Sequence, residues 1–120
     1  MIEELKTAAR VICARLRQRP YQAGVTISAW DAIVDQRADG KRYEAFSWQN
    51  ALSKEVELYI AELDEATKRK IWESTDDCKV LPNADLATIT ECLYPFVMDA
   101  VGRPVHRAVR NRQKKLEGEP

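Results

Sequence analysis

The chain has 120 residues, 45% of them hydrophobic and 32% charged, with nineteen basic and nineteen acidic side chains. That length makes one ordinary domain, which can bury roughly two-thirds of its unfolded surface without a disulfide or metal staple. A formal net charge of zero argues against a general nucleic-acid coating protein, which would be basic throughout.

Helical periodicity dominates from the start of the chain. Ile2, Leu5, Ala9, Ile12 and Leu16 recur at three- and four-residue steps and predict a helix from about Ile2 to Gln18. Pro20 limits it, because the residue before a proline is pushed out of helical angles. Lys6, Arg10 and Arg17 project along one flank of its apolar stripe. Residues 20–27 read as a loop around Pro20 and Gly24, with Val25-Thr26-Ile27 as a short extended piece lacking an obvious partner. Ser28, followed three residues later by Asp31, is an N-cap signal. It predicts a short helix from Ala29 to Ala38 that buries Trp30, Ile33 and Val34. Asp39-Gly40 ends that helix, since glycine tolerates the left-handed stop.

A third helix is predicted from about Ser47 to Leu63. Trp48, Leu52, Val56, Tyr59, Ile60 and Leu63 fall within about a 120° arc at the helical step. Asp64 caps a fourth helix, Glu65 to Ser74, anchored by Ile71 and Trp72. Asp64–Lys68, Glu65–Arg69 and Arg69–Glu73 are spaced for ion pairs on its solvated face. Residues 75–82 read as a loop. Asn83 then caps a fifth helix, with Asp85 in its first turn. Leu86, Ile89, Leu93, Phe96, Val97, Ala100 and Val101 give it the widest apolar face of the chain. Pro95 lies within that helix and should kink it by removing the bond to the Glu91 carbonyl. Gly102-Arg103-Pro104 breaks the chain, and Pro104 suits the first position of a last helix running to about Lys115. The tail, residues 117–120, should fray.

These elements predict an all-α fold: a single compact domain over residues 1–116, of five to six helices in bundle-like or orthogonal packing, with a Pro-kinked fifth helix. Helices one, three and five should supply its core. Cys13, Cys78 and Cys92 are odd in number and form no CxxC pair, which reads as structural thiols in a reducing compartment. Met1-Ile2-Glu3-Glu4 lacks the basic start and apolar run of a secretory signal. No stretch approaches the roughly 20 apolar residues of a membrane span. A cytoplasmic protein with no membrane role is therefore expected.

Motifs for catalysis are sparse. His106 is the sole histidine, and HExxH, GxSxG and the P-loop pattern are absent. No catalytic residue, cofactor, metal site or small-molecule substrate is evident. The one enzymatic alternative is a carboxylate metal site on the third helix. Glu55 and Glu62, seven apart beside Trp48 and Tyr59, could join a further acid around Mg²⁺, although the ExxH partner motif of such sites is missing.

Charge is segregated along the chain. Residues 1–20 carry five bases against two acids, residues 47–78 eight acids against four bases, and residues 103–120 six bases against two acids. On the last helix Arg103, His106, Arg107, Arg110 and Lys114 lie within about 100° of one another. Val105, Val109 and Leu116 mark the opposite, docking side, and Arg112 falls out of pattern inside that apolar stripe. Tyr43, Phe46 and Trp48 cluster at a helix entry just after Lys41-Arg42, where aromatics could anchor a partner. Together these features predict a non-enzymatic binding protein: a small adaptor, regulator or inhibitor acting by protein–protein contact or self-association. The basic helix would steer an acidic partner, and Tyr43–Trp48 would supply affinity. The alternative is a nucleic-acid-binding accessory protein that contacts phosphates through Arg103, Arg107, Arg110, Arg112 and Lys114.

Overall fold

The amphipathic repeat at the start of the chain produces α1 (Glu3–Gln18), which buries Ala8, Ile12, Cys13 and Leu16 on one face. The computed structural model describes residues 1–118. After α1 the chain folds back on itself. Tyr21 N–H donates to the Ile27 carbonyl at 3.0 Å, and Pro20 and Ser28 form an isolated bridge. The extended piece therefore finds its partner within its own loop. Ser28 caps α2 (Ala29–Asp39), its hydroxyl accepting from the Asp31 N–H. Gly40 closes the helix at φ 67°, a left-handed angle that costs glycine little.

Ser47 caps α3 (Trp48–Glu62), and Asp64 caps α4 (Glu65–Glu73) by accepting from the Thr67 N–H at 2.7 Å. That use of Asp64 removes one expected ion pair. Lys68 turns instead into the packing beside α4, buried, with its Nζ 3.2 Å from Thr90 Oγ1. Residues 75–82, expected to be a loop, contain one helical turn, α5 (Asp77–Val80). The next helix, α6 (Leu86–Cys92), begins later than expected and is capped by Asp85 rather than Asn83. The Asp85 carboxylate accepts from the Thr88 N–H at 2.8 Å. An ionised carboxylate serves a helix N-terminus better than an amide oxygen.

The largest corrections concern the two prolines that follow. The long fifth helix is two helices, α6 and α7 (Tyr94–Leu116), joined at Leu93. Pro95 does not kink a helix interior; it occupies the first turn of α7, where an N–H would lack an intrahelical partner anyway. Nor do Gly102-Arg103-Pro104 break the chain, because α7 continues through Pro104. Val97, Ala100, Val101, Val105 and Val109 are all buried on one face. That continuous docking against α1 and α2 outweighs the missing backbone bond, an effect of about 3 kcal/mol in an exposed helix.

The fold is all-α, six helices of seven residues or more plus the single turn α5, around one apolar core. Helices α1, α3 and the α6–α7 pair contribute as expected. So does α2, which buries Trp30, Ile33 and Val34 and packs on α7, α1 and α3. At the end of α7 the apolar face runs out: Leu116 is exposed. Residues 117 and 118 are not frayed. They close the helix with bonds from Glu117 N–H to the Gln113 carbonyl and from Gly118 N–H to the Lys115 carbonyl. The rest of the tail, residues 119 and 120, lies outside the described residues. None of the described helices is long and apolar enough to cross a membrane.

Candidate functional site

The burial of Val101, Val105 and Val109 fixes how α7 is turned, and so places Arg103, His106, Arg107, Arg110 and Lys114 on its outer, exposed face. From Arg103 to Lys114 the row is about 16 Å long. Arg103 approaches Asp99 one turn earlier, at 3.7 Å and in solvent. Among the described residues, Arg107, Arg110 and Lys114 meet no carboxylate. His106, Arg107, Arg110 and Lys114 line a shallow groove of about 390 Å³. A second groove of about 700 Å³, with Tyr94, Pro95, Met98 and Gly102 in its walls, adjoins it and shares Arg103 and His106. The outer face of α7 therefore runs from an apolar hollow at its start to a row of cations at its end.

Arg112, the residue out of pattern, does not belong to this surface. It points to the docking side, where its guanidinium reaches Asp35 of α2 and lies 3.9 Å from Asp31. It holds the last turns of α7 against α2. The N-terminal bases are also largely engaged. Arg15 pairs with Glu62 at 2.6 Å, Arg19 lies 3.1 Å from Glu55, and Arg17 stacks over the Trp30 ring. The acidic middle of the chain thus receives the basic N-terminus, while the outer face of α7 keeps its charge. Glu55 and Glu62, the pair considered for a metal, each face an arginine: Glu62 meets Arg15 of α1, and Glu55 meets Arg19 just after that helix. No group of three or more potential metal ligands occurs among the described residues.

The aromatic candidates separate. Tyr43 and Phe46 join Tyr21 in an edge-packed cluster with ring centroids 4.9 to 6.4 Å apart. Trp48 stands away from them, covered by Arg37 at 4.7 Å. Gln36 ties the segment down, donating to the Phe46 carbonyl and accepting from the Trp48 N–H. The Tyr43 hydroxyl donates to Asp35 at 2.6 Å. Burial first, then that bond, pushes its phenol up to about 12. Asp35 is also the partner of Arg112, so the cluster lies on the docking side of α7. It therefore sits apart from the outer cations, which lie on the opposite side of the same helix.

Behind the cluster is a cleft of about 690 Å³ between the Arg19–Tyr21 segment, the Tyr43–Ser47 segment and the first turns of α3. Glu55 is at its base, with 1% of its surface exposed. Neither of its carboxylate oxygens accepts a hydrogen bond among the described residues, since Arg19 is close but not aligned. In the cleft wall Ala45 holds φ at 54°, unfavourable for any residue with a Cβ. Sequence reasoning missed the roles of Tyr21, Arg19 and Asp35. They meet their partners across long stretches of chain, and no local spacing announces that. Comparison of the chain with protein families, with curated proteins and with solved structures finds no match.

Proposed function

We propose that this protein is a non-enzymatic binding module, a small cytoplasmic adaptor, regulator or inhibitor that docks an acidic protein surface along the outer face of α7. One observation carries the reading: the hollow, largely apolar apart from Asp99, is continuous through Arg103 and His106 with Arg107, Arg110 and Lys114, which meet no carboxylate among the described residues. A contact surface needs both parts. Apolar area gives affinity by leaving water, and charge steers encounter and fixes register. Met98, half-buried in the hollow, is a side chain that adapts readily to a partner's shape.

Nucleic acid is the competing partner for the same cations. The neutral net charge weighs against it, and so does the placement of Tyr21, Tyr43 and Phe46 on the docking side of α7, where they do not adjoin the row to stack bases. The two readings separate in one titration. A labelled glutamate-rich peptide and a duplex oligonucleotide of equal charge are followed by fluorescence anisotropy with the wild type and with Met98→Glu. The protein reading expects tighter binding of the peptide and weaker binding of it by Met98→Glu. Tighter binding of the duplex, falling with log salt at a slope of roughly −3 to −4 for about four phosphates, would transfer the surface to nucleic acid.

A further inference from the structure

The cleft beneath the aromatic cluster asks for a ligand that the docking surface does not explain. Its base is a buried carboxylate with no hydrogen-bond donor aligned on either oxygen. Buried charges in native proteins are normally paired and hydrogen-bonded, so this one has two acceptor positions to fill. Its wall carries the rings of Tyr21, Tyr43 and Phe46, tilted or edge-on to one another. Two cations, Arg19 and Lys54, line it as well; both are exposed, and only Arg19 is near Glu55. With Glu55 counted, the cleft keeps an excess positive charge. Arg19 is an imperfect incumbent: its guanidinium comes within 3.1 Å of Glu55 without hydrogen-bond alignment, and half of its side chain is in solvent. A cleft of about 690 Å³ is in the ordinary range for small-molecule sites.

We propose that this cleft binds a planar heteroaromatic molecule that presents two adjacent N–H donors and carries an anionic group, the chemistry of a guanine nucleotide. The paired donors go to the two oxygens of Glu55, as a carboxylate accepts bidentate partners. The ring stacks on the face of Tyr21 and meets Phe46 edge-on, because those two rings stand 71° apart. The phosphate draws Arg19 off Glu55 and pairs with it and with Lys54. Binding thus replaces one misaligned ion pair by a bidentate contact at Glu55 and phosphate pairs with Arg19 and Lys54, and Arg19 is the side chain that must move. An adenine edge puts a ring-nitrogen acceptor beside its amino group and would set that lone pair against Glu55.

Calorimetry with GMP, guanosine, AMP and inorganic phosphate tests the assignment, with NMR locating any site found. GMP should bind, guanosine more weakly, and AMP and phosphate weaker still, with shifts at Tyr21 and Phe46. Glu55→Gln, which keeps shape and removes charge, should weaken GMP about tenfold or more. Lys54→Ala, a change at an exposed side chain, should weaken GMP several-fold and leave guanosine unchanged. Arg107→Glu should alter none of these, which separates this site from the α7 surface. The proposal is overturned by absence of GMP binding at millimolar concentration. It is equally overturned by AMP or phosphate binding as tightly as GMP, or by shifts confined to α7. Should Glu55→Gln fail to fold, Lys54→Ala and the NMR map decide the matter in the same terms.

Discussion

Gly102 sits inside α7 at ordinary helical angles, and a Cβ built there meets nothing within 4 Å. Neither backbone conformation nor close packing requires glycine at this position. Gly102→Ala should therefore stabilise the protein by about 0.5–1 kcal/mol in chemical denaturation, the ordinary helix-interior difference. A loss of stability would mean that the apolar hollow is tighter than its geometry. Tyr43 supplies a pH prediction. Its folded-state phenol titrates near 12, raised by burial and by the bond to Asp35, whereas an unfolded tyrosine ionises near pH 10. The unfolded chain gives up this proton first. The stabilisation is therefore complete below about pH 10 and is lost as pH rises from there towards 12. Tyr43→Phe should flatten that alkaline decline in thermal melts, and an unchanged decline would remove Tyr43 as its source. Acid conditions act on other groups. Glu4, bonded by Lys70, and Asp64, bonded by Thr67, are both held below the usual carboxylate range, so their contributions fade as pH falls through their lowered folded values.

The joint between α6 and α7 is where local propensity and tertiary packing diverge most. Pro95 was legible as a disturbance, because a proline cannot donate to the Glu91 carbonyl. The sequence does not show that the helix restarts at Tyr94, so that the missing N–H falls in a first turn. Pro104 misled for the opposite reason. Gly102 and Pro104 together resemble a stop and a start, and local propensity alone favours that reading. The valines on either side of Pro104 override it because they dock on α1 and α2 as one stripe. Pro104→Ala should restore a backbone bond to the Ala100 carbonyl and raise stability by up to about 3 kcal/mol. Leu93 is fully buried at the joint. Leu93→Ala should cost about 2–5 kcal/mol, since it opens a cavity where two helices meet. Equal stability of Leu93→Ala and wild type in urea would show that the joint is loosely packed.

At the scale of the whole molecule the chain is flat and drawn out, 51 × 32 × 19 Å with a radius of gyration of 16.2 Å. A compact domain of this length would have about 13.6 Å. Its accessible surface of 7577 Å² exceeds the roughly 6,600 Å² expected for a compact monomer of its mass. Fold class was legible in the sequence because periodicity of apolar residues encodes helices, and the core positions Ile12, Leu16, Ile33, Val56 and Val97 follow from it directly. The outer face of α7 was legible for the same reason, since one helix's own geometry sets it. The cleft was not. Glu55 reads as one acid among eight in its segment, and only the tertiary meeting of Arg19, Tyr21 and Phe46 makes it distinctive. Docking through α7 requires the charge of its outer face to be available to a partner. The most direct measurement is anisotropy of a labelled glutamate-rich peptide with wild type and with Arg107→Glu/Arg110→Glu/Lys114→Glu, across a range of salt. Wild-type binding should weaken steadily as salt rises, and the charge-reversed protein should bind at least about tenfold more weakly while melting normally. Binding that ignores salt, or that survives the reversal unchanged, would rule out docking through the cations of α7.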